Sequence, residues 1–249
     1  MFYGGLTGFG GGGGAAGFLP LASGWGSDYM TCTSTGFSGS TNFYSYFFWI
    51  KNDSWSGSNN IFSTAAGSAM PSGNVNTSGQ IGHNHYLNSG NYFYVTQTST
   101  GMSVDTWHYV HGRINVGTYD WKLWIDGVDQ SWSNAGPGSG WTITNLDENF
   151  FIGANGVAHS GPSDFYLSEF WMDDTDIDMD SSAVRDAFVL AGAPVDFGAD
   201  GSGPTGSQPN VYCSIRSGGS ASDFGTNRGS GGDFTITGTL DLVTDGPGT

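Results

Sequence analysis

Residues 42–51, with the sequence NFYSYFFWIK, decide the fold class of this 249-residue chain. The segment is short, almost continuously apolar and rich in aromatic residues, which is typical of a β-strand buried on both faces. Similar runs recur between clusters of Gly, Asn, Asp and Ser, the residues that favour turns. The predicted strands are residues 28–33, 42–51, 61–64, 92–98, 107–115, 121–125, 150–153 and 165–172. This spacing predicts an all-β fold, a two-sheet antiparallel jelly-roll sandwich.

Composition divides the chain into three segments. Residues 1–24 form a glycine-rich arm, residues 25–193 carry the evenly spaced strands, and residues 194–249 form a Gly/Ser-rich extension with two short strands. One short helix is predicted over residues 183–190. Ser and Asp residues stand before it as caps, and Gly192 and Pro194 end it.

The charge of the chain excludes several classes of partner. The net charge is −16 and Lys plus Arg total only 6, too few to neutralise a phosphate backbone or to bind an anionic membrane surface. No run of about twenty apolar residues is present, so no membrane-spanning helix is predicted. Aromatic residues make up 15% of the chain, which requires a folded core. We therefore expect a folded, acidic protein that binds neither nucleic acid nor membrane.

Five motifs occur in a fixed order and carry a resemblance. They are NFYSYFFWIK at 42–51, WHYV at 107–110, LWIDGV at 123–128, FFIGAN at 150–155 and FYLSEFWMDD at 165–174. Together they resemble the concanavalin A-like lectin and glucanase superfamily, in its LamG and pentraxin-like branch, over residues 29–192. The resemblance implies a jelly roll that takes carbohydrate or protein ligands at its loops or on its concave face. The glycine-rich arm and the tail TNRGSGGDFTITGTLD at 226–241 resemble structural proteins of tailed bacteriophage particles.

The acidic residues do not predict an enzyme. Glycoside hydrolysis requires two carboxyl groups about 5–9.5 Å apart. The only glutamates are Glu148 and Glu169, and a pair of Glu169 with Asp173 would span about 13 Å along a strand. The sequence contains no G-x-S-x-G motif, and no Ser-His-Asp order can be argued from it. We therefore predict no catalytic residues.

No metal or cofactor is predicted either. The aspartates of residues 173–180 suggest a calcium loop, but Met179 stands where an EF-hand needs Gly and Arg185 where it needs Glu. A solvated turn that caps the helix is favoured over a loop calcium site. The histidines, His83, His85, His108, His111 and His159, have no Cys companions at zinc-binding spacing. Cys32 and Cys213 are expected to be reduced and buried, with one disulfide as the alternative.

Three tryptophans in loops rich in Ser, Gly and Asn are candidate glycan-binding residues: Trp55, Trp132 and Trp141. An aromatic ring can stack on the apolar face of a sugar while neighbouring amides bind its hydroxyls. The alternative, a ring buried beneath a loop or at a subunit contact, is favoured for any single tryptophan.

The arm is predicted to be an assembly device. Its aromatic residues Phe2, Tyr3, Phe9 and Phe18 are the predicted anchors in a neighbouring subunit or virion protein, because glycine tracts form no core of their own. The expected function is a non-enzymatic, fibre or adhesin-type virion protein, a homo-oligomer such as a trimer, that presents its jelly roll to host-surface glycans. The alternatives are a capsid decoration (cement) protein without a host ligand, and a free lectin or glucanase-like enzyme.

Overall fold

The computed structural model describes residues 21–25, 28–55, 57, 59–64, 71–88, 91–136, 140–144, 146–154, 163–216, 219–242 and 246–247. In these residues the strands are, in chain order, β1 (Leu21–Trp25), β2 (Tyr29–Cys32), β3 (Ser40–Thr41), β4 (Phe43–Lys51), β5 (Asn59–Thr64), β6 (Ser72–Val75), β7 (Ile81–Asn88), β8 (Asn91–Gln97), β9 (His108–Asn115), β10 (Asp120–Ile125), β11 (Val128–Asp129), β12 (Trp132–Ala135), β13 (Ile143–Thr144), β14 (Phe150–Ile152), β15 (Ser163–Asp173), β16 (Val189–Leu190), β17 (Ala193–Pro194), β18 (Val211–Cys213), β19 (Thr235–Thr237) and β20 (Asp241–Leu242). One α-helix, α1, spans Ser182–Asp186, and a 3₁₀ helix spans Ala221–Gly225.

Two antiparallel sheets form the body of the protein. The first has the strand order β11-β10-β9-β4-β15-β1-β20, and β18 pairs with the second half of β15. The second has the order β12-β8-β7-β6-β5-β14-β2-β19. The fold is therefore the predicted antiparallel jelly-roll sandwich. Strands β18, β19 and β20 place parts of residues 194–249 in both sheets, while the division into three segments stays a prediction.

Strand β4 shows why the sequence folds in this way. Residues 44–50 are all buried, as their apolar run predicts. Tyr44, Tyr46, Phe48 and Ile50 belong to the main core between the sheets. The intervening side chains, Phe47 and Trp49, lie on the other face of the first sheet and belong to a second core. A central strand between two cores needs buried side chains on both faces, and the one polar residue in this run, Ser45, donates its hydroxyl to the carbonyl of Thr175.

The second core is covered by the segment that follows β15. Phe188 and Phe197 pack against Phe47, with ring centroids 5.1 Å and 5.5 Å away. The indole of Trp171 contacts Phe188 edge-on, at 5.2 Å, and donates a hydrogen bond to the carbonyl of Gly201. This layer seals one face of the first sheet.

The predicted helix is shorter than expected. It ends at Asp186, and Val189–Leu190 pairs with Ala193–Pro194 as a small hairpin. Ala191 and Gly192 form its turn with φ values of 53° and 79°. The Ser181 side chain makes no capping hydrogen bond, and Leu190 is 69% exposed, so it does not pack on the sheet.

Both cysteines are buried and free. The Sγ of Cys32 donates a hydrogen bond to the carbonyl of Gly232. Burial raises the pKa of both thiols, to the largest extent for Cys213. The expectation of two reduced, buried thiols therefore agrees with the structure.

Candidate functional site

A pocket opens where the end of β9 lies beside the start of β4. Phe43 and Asn115 are cross-strand partners, and the N–H of Val116 donates to the carbonyl of Asn42. The chain then turns, and the Asn115 side chain accepts the N–H of Thr118 at 3.1 Å. Strand pairing thus brings residues from distant parts of the sequence to one end of the sandwich.

A third segment, residues 140–142, forms another wall of this pocket. The N–H of Gly140 donates to the carbonyl of Gly117 at 2.9 Å, which places Trp141 next to the turn. The resulting Trp141 pocket has a volume of about 290 Å³. Its lining residues are Asn42, Phe43, Asn115, Gly117, Thr118, Gly140, Trp141 and Thr142. This volume is just below the range of drug-sized small-molecule sites, about 300–1,000 Å³.

The side chains of the Trp141 pocket are aromatic, amide or hydroxyl groups, without a charged group among them. The Asn42 and Thr118 side chains are exposed, and the Trp141 ring is half-buried against the main core. Gly117 leaves room for the two amides. A Cβ on it would lie 3.2 Å from the Asn42 amide and 3.3 Å from Asn115 Oδ1. An apolar ring beside neutral donors and acceptors is the chemistry that a sugar needs.

The other predicted glycan-binding residues lie elsewhere. Trp55 is buried, and its indole N–H donates to the carbonyl of Met102 at 2.9 Å. Trp132 is half-buried against the main core, with its ring 6.0 Å from that of His83. The structure therefore does not bring the three tryptophans together. The predicted anchors Phe2, Tyr3, Phe9 and Phe18 lie outside the described residues.

Buried histidines occupy the core rather than a metal site. His83 and His85 lie side by side on β7, and His83 Nε2 is 2.7 Å from the hydroxyl of Tyr46. Burial lowers the pKa of His83 to about 3. Among the described residues, no group of three or more His, Cys, Asp or Glu side chains is placed to hold a metal ion. No helix within the described ranges is long and apolar enough to cross a membrane.

The carboxyl groups considered for glycoside hydrolysis are also buried. The Glu169 side chain, on strand β15, is fully buried. Asp173, at the end of the same strand, is 7% exposed. Burial raises the pKa of Glu169 to about 8. These two carboxyl groups therefore do not face each other across an open cleft, which glycoside hydrolysis requires.

The sequence predicted Trp141 but missed its polar neighbours. Asn42 and Asn115 stand at the ends of predicted strands, where Asn is also an ordinary turn residue. Their proximity follows from the register that pairs Phe43 with Asn115. Asn at paired strand ends, together with a loop tryptophan, is the signal that could have indicated the site.

No family model matches this sequence, and no curated protein matches it either. Solved structures do share the fold. A candidate carbohydrate-binding protein from Bacteroides ovatus ATCC 8483 superimposes with a TM-score of 0.61 at 14% identity, over 92% of this chain and 61% of that one. A heptameric pentraxin from Limulus polyphemus (TM-score 0.47, 13% identity) covers 64% of this chain and 77% of that chain. Mouse laminin α1 domains LG4–5 superimpose with a TM-score of 0.49 at 12% identity, over 68% of this chain and 46% of that chain. The likeness to the Bacteroides ovatus protein supports the fold of this chain.

Proposed function

We propose that this chain is a carbohydrate-binding jelly roll whose Trp141 pocket takes a neutral sugar. The observation that carries the proposal is the convergence of the Trp141 ring with the exposed side chains of Asn42 and Thr118. Uncharged lining groups favour a neutral sugar over an acidic one, and the net charge of −16 repels acidic glycans further. The name of the Bacteroides ovatus neighbour, a candidate carbohydrate-binding protein, supports the same function.

A glycan array tests this proposal. The intact chain should bind neutral glycans, and Asn42→Ala should weaken that binding roughly tenfold, equivalent to about 1.4 kcal/mol. Asn42 is exposed, so its truncation should leave the melting temperature unchanged. Trp141→Ala should abolish binding, and Trp107→Ala, at the opposite end of β9, serves as the matched tryptophan control. Selective binding of acidic glycans, or equal binding by wild type and Asn42→Ala, would refute the proposal.

We further propose that the jelly roll is presented on a virion as a fibre or adhesin-type component. The support is the sequence: a glycine-rich arm that carries four aromatic residues, and an acidic chain with 22 Asp plus Glu against 6 Lys plus Arg. Deletion of residues 1–20 should abolish incorporation into a homo-oligomeric assembly, seen by electron microscopy and by mass in size-exclusion chromatography. Unaltered assembly after this deletion would contradict the proposal that the arm attaches the chain to the particle.

A decoration protein without a host ligand is the second candidate, favoured by the same arm. It predicts full incorporation into the particle with no signal on the glycan array. A free lectin predicts the reverse, glycan binding by a chain that forms no assembly. The two measurements together separate the three functions.

A further inference from the structure

A chain of hydrogen bonds joins Ser103, His108 and Asp126 at the end of β9 opposite the Trp141 pocket. The Ser103 Oγ lies 3.0 Å from His108 Nε2, and His108 Nδ1 lies 2.6 Å from Asp126 Oδ2. Nε2 also lies 3.3 Å from the Ser103 carbonyl oxygen. In the neutral ring with its proton on Nδ1, towards the carboxylate, the Nε2 lone pair can accept the proton of the serine hydroxyl. This is the order of contacts that activates a serine nucleophile.

The local structure holds the three groups in place. Asp126 lies in the turn between β10 and β11, and its Oδ1 accepts the N–H of Tyr109 at 3.1 Å. Strand pairing fixes His108 opposite Ile50. Ser103 belongs to a turn in which the N–H of Asp105 donates to the carbonyl of Asn52.

Both turns contain an Asp in the left-handed region, which Asp adopts more readily than most non-glycine residues. The φ value is 55° for Asp105 and 52° for Asp126. These backbone conformations set the shape of the two turns that hold the serine and the carboxylate.

A pocket of about 350 Å³ lies beside these groups, with His108 and Asp126 in its wall. Met102, Ile125 and Val128 supply its apolar lining. Val128 is 62% exposed, and Val104, next to Ser103, is 44% exposed. Ser103 is exposed and lies next to the pocket, between Met102 of its lining and Val104. Ser99, Thr100 and Gln130 add polar groups to the lining. The three apolar side chains fit a short acyl group, and the polar groups fit an uncharged ester.

We propose that Ser103, His108 and Asp126 form a nucleophilic site that hydrolyses small uncharged acyl esters. The Ser103 Oγ attacks the ester carbonyl carbon while His108 Nε2 takes the hydroxyl proton. His108 then gives that proton to the departing alcohol oxygen as the ester bond breaks. A water molecule attacks the acyl-serine, His108 takes its proton, and Ser103 regains it as the carboxylic acid leaves. Asp126 orients the ring and stabilises its charged form.

Covalent labelling of the full-length protein tests this site. A fluorophosphonate should modify one serine, and peptide mapping should place the adduct on Ser103. Ser103→Ala should abolish labelling and lower the hydrolysis of p-nitrophenyl butyrate at least about a hundredfold. Ser131→Ala, at another exposed serine, is the matched control and should retain both.

A second variant keeps the test independent of folding. Asp126→Asn should slow labelling at least about tenfold in protein whose circular dichroism is unchanged, because the ring loses its orienting carboxylate. An unlabelled Ser103 in the wild type, or undiminished ester hydrolysis in Ser103→Ala, would overturn the proposal. The site does not depend on the Trp141 pocket, so glycan binding by Ser103→Ala should equal that of wild type.

Discussion

The hydroxyl of Tyr212 donates a hydrogen bond of 2.7 Å to Oε2 of the fully buried Glu169. Glu169 has a φ of 51° and lies where the register between β4 and β15 shifts. Its other oxygen, Oε1, has no hydrogen-bond partner within the described residues. Strand β15 and the segment after residue 194 are thus joined at a strained, buried carboxyl group whose ionisation is costly.

The first prediction concerns the loss of stability as pH rises through the titration range of Glu169. Burial raises the pKa of Glu169 from 4.5 to about 8. Between these values the folded protein holds a proton that the unfolded chain has released, so stability falls as pH rises from about 4.5 to 8. Each unit of the shift corresponds to about 1.4 kcal/mol. Glu169→Gln should remove this slope and raise the melting temperature at pH 8.

Glu148→Gln is the matched control for this experiment, because Glu148 is the only other glutamate and is exposed. The control should keep the pH dependence of the wild type. The measurement is the melting temperature of wild type, Glu169→Gln and Glu148→Gln from pH 5 to pH 9. Parallel curves for wild type and Glu169→Gln would contradict the prediction.

The strands that the sequence predicted are those whose local composition and tertiary role agree. The predicted run at residues 42–51 became Phe43–Lys51, and that at 150–153 became Phe150–Ile152. Strand β6, SGNV at Ser72–Val75, was not predicted, because its residues are ordinary turn formers. Gly73 lies there because a Cβ would collide with the ring of Phe62. A packing requirement of this kind leaves no local signal in the sequence.

The candidate site was predictable only in part. Its aromatic residue follows from loop composition, and Trp141 was one of three candidates. The choice among them depends on contacts between segments that are distant in sequence. Trp141 meets Asn42 through the turn at Gly117, whereas Trp55 is buried against Met102. Nothing in the composition around these two tryptophans distinguishes them.

The second prediction concerns the loss of stability at acidic pH that the buried histidines cause. Burial lowers the pKa of His83 and of His111 to about 3 and lowers that of His85 well below its usual value. These rings are neutral in the folded protein, while the unfolded chain takes up protons below pH 6.5. The contribution of these rings to stability is therefore fully present above about pH 6.5 and is lost as pH falls towards 3. His83→Gln should make this loss shallower by about 1.4 kcal/mol per pH unit.

Tyr46→Phe separates titration from hydrogen bonding in that experiment. It removes the hydroxyl that lies 2.7 Å from His83 Nε2 but keeps the titrating ring. This variant should lose about 1–3 kcal/mol at neutral pH and retain the acid slope of the wild type. Urea denaturation at several pH values measures both quantities. An unchanged slope in His83→Gln would show that His83 does not contribute to acid unfolding.

The third prediction concerns close packing between β4 and β9. Gly112 is the cross-strand partner of Tyr46, and a Cβ at this position would overlap the end of the Tyr46 ring. Gly112→Ala should therefore destabilise the protein by about 1–3 kcal/mol or more. Tyr46→Leu shortens the side chain, so the double variant should lose less stability than the sum of the single changes. Strict additivity in urea denaturation would contradict this packing argument.

The fourth prediction separates the buried Trp55 from Trp141, which lines the proposed glycan pocket. Trp55 is 9% exposed, and its N–H satisfies the carbonyl of Met102 at 2.9 Å. Trp55→Phe keeps an aromatic ring but leaves that buried carbonyl without its donor, so the free energy of unfolding should fall by about 1–3 kcal/mol. Glycan affinity, measured by titration, should stay that of wild type, because the ring does not line the Trp141 pocket. A loss of glycan affinity with unchanged stability would instead place Trp55 in the binding site.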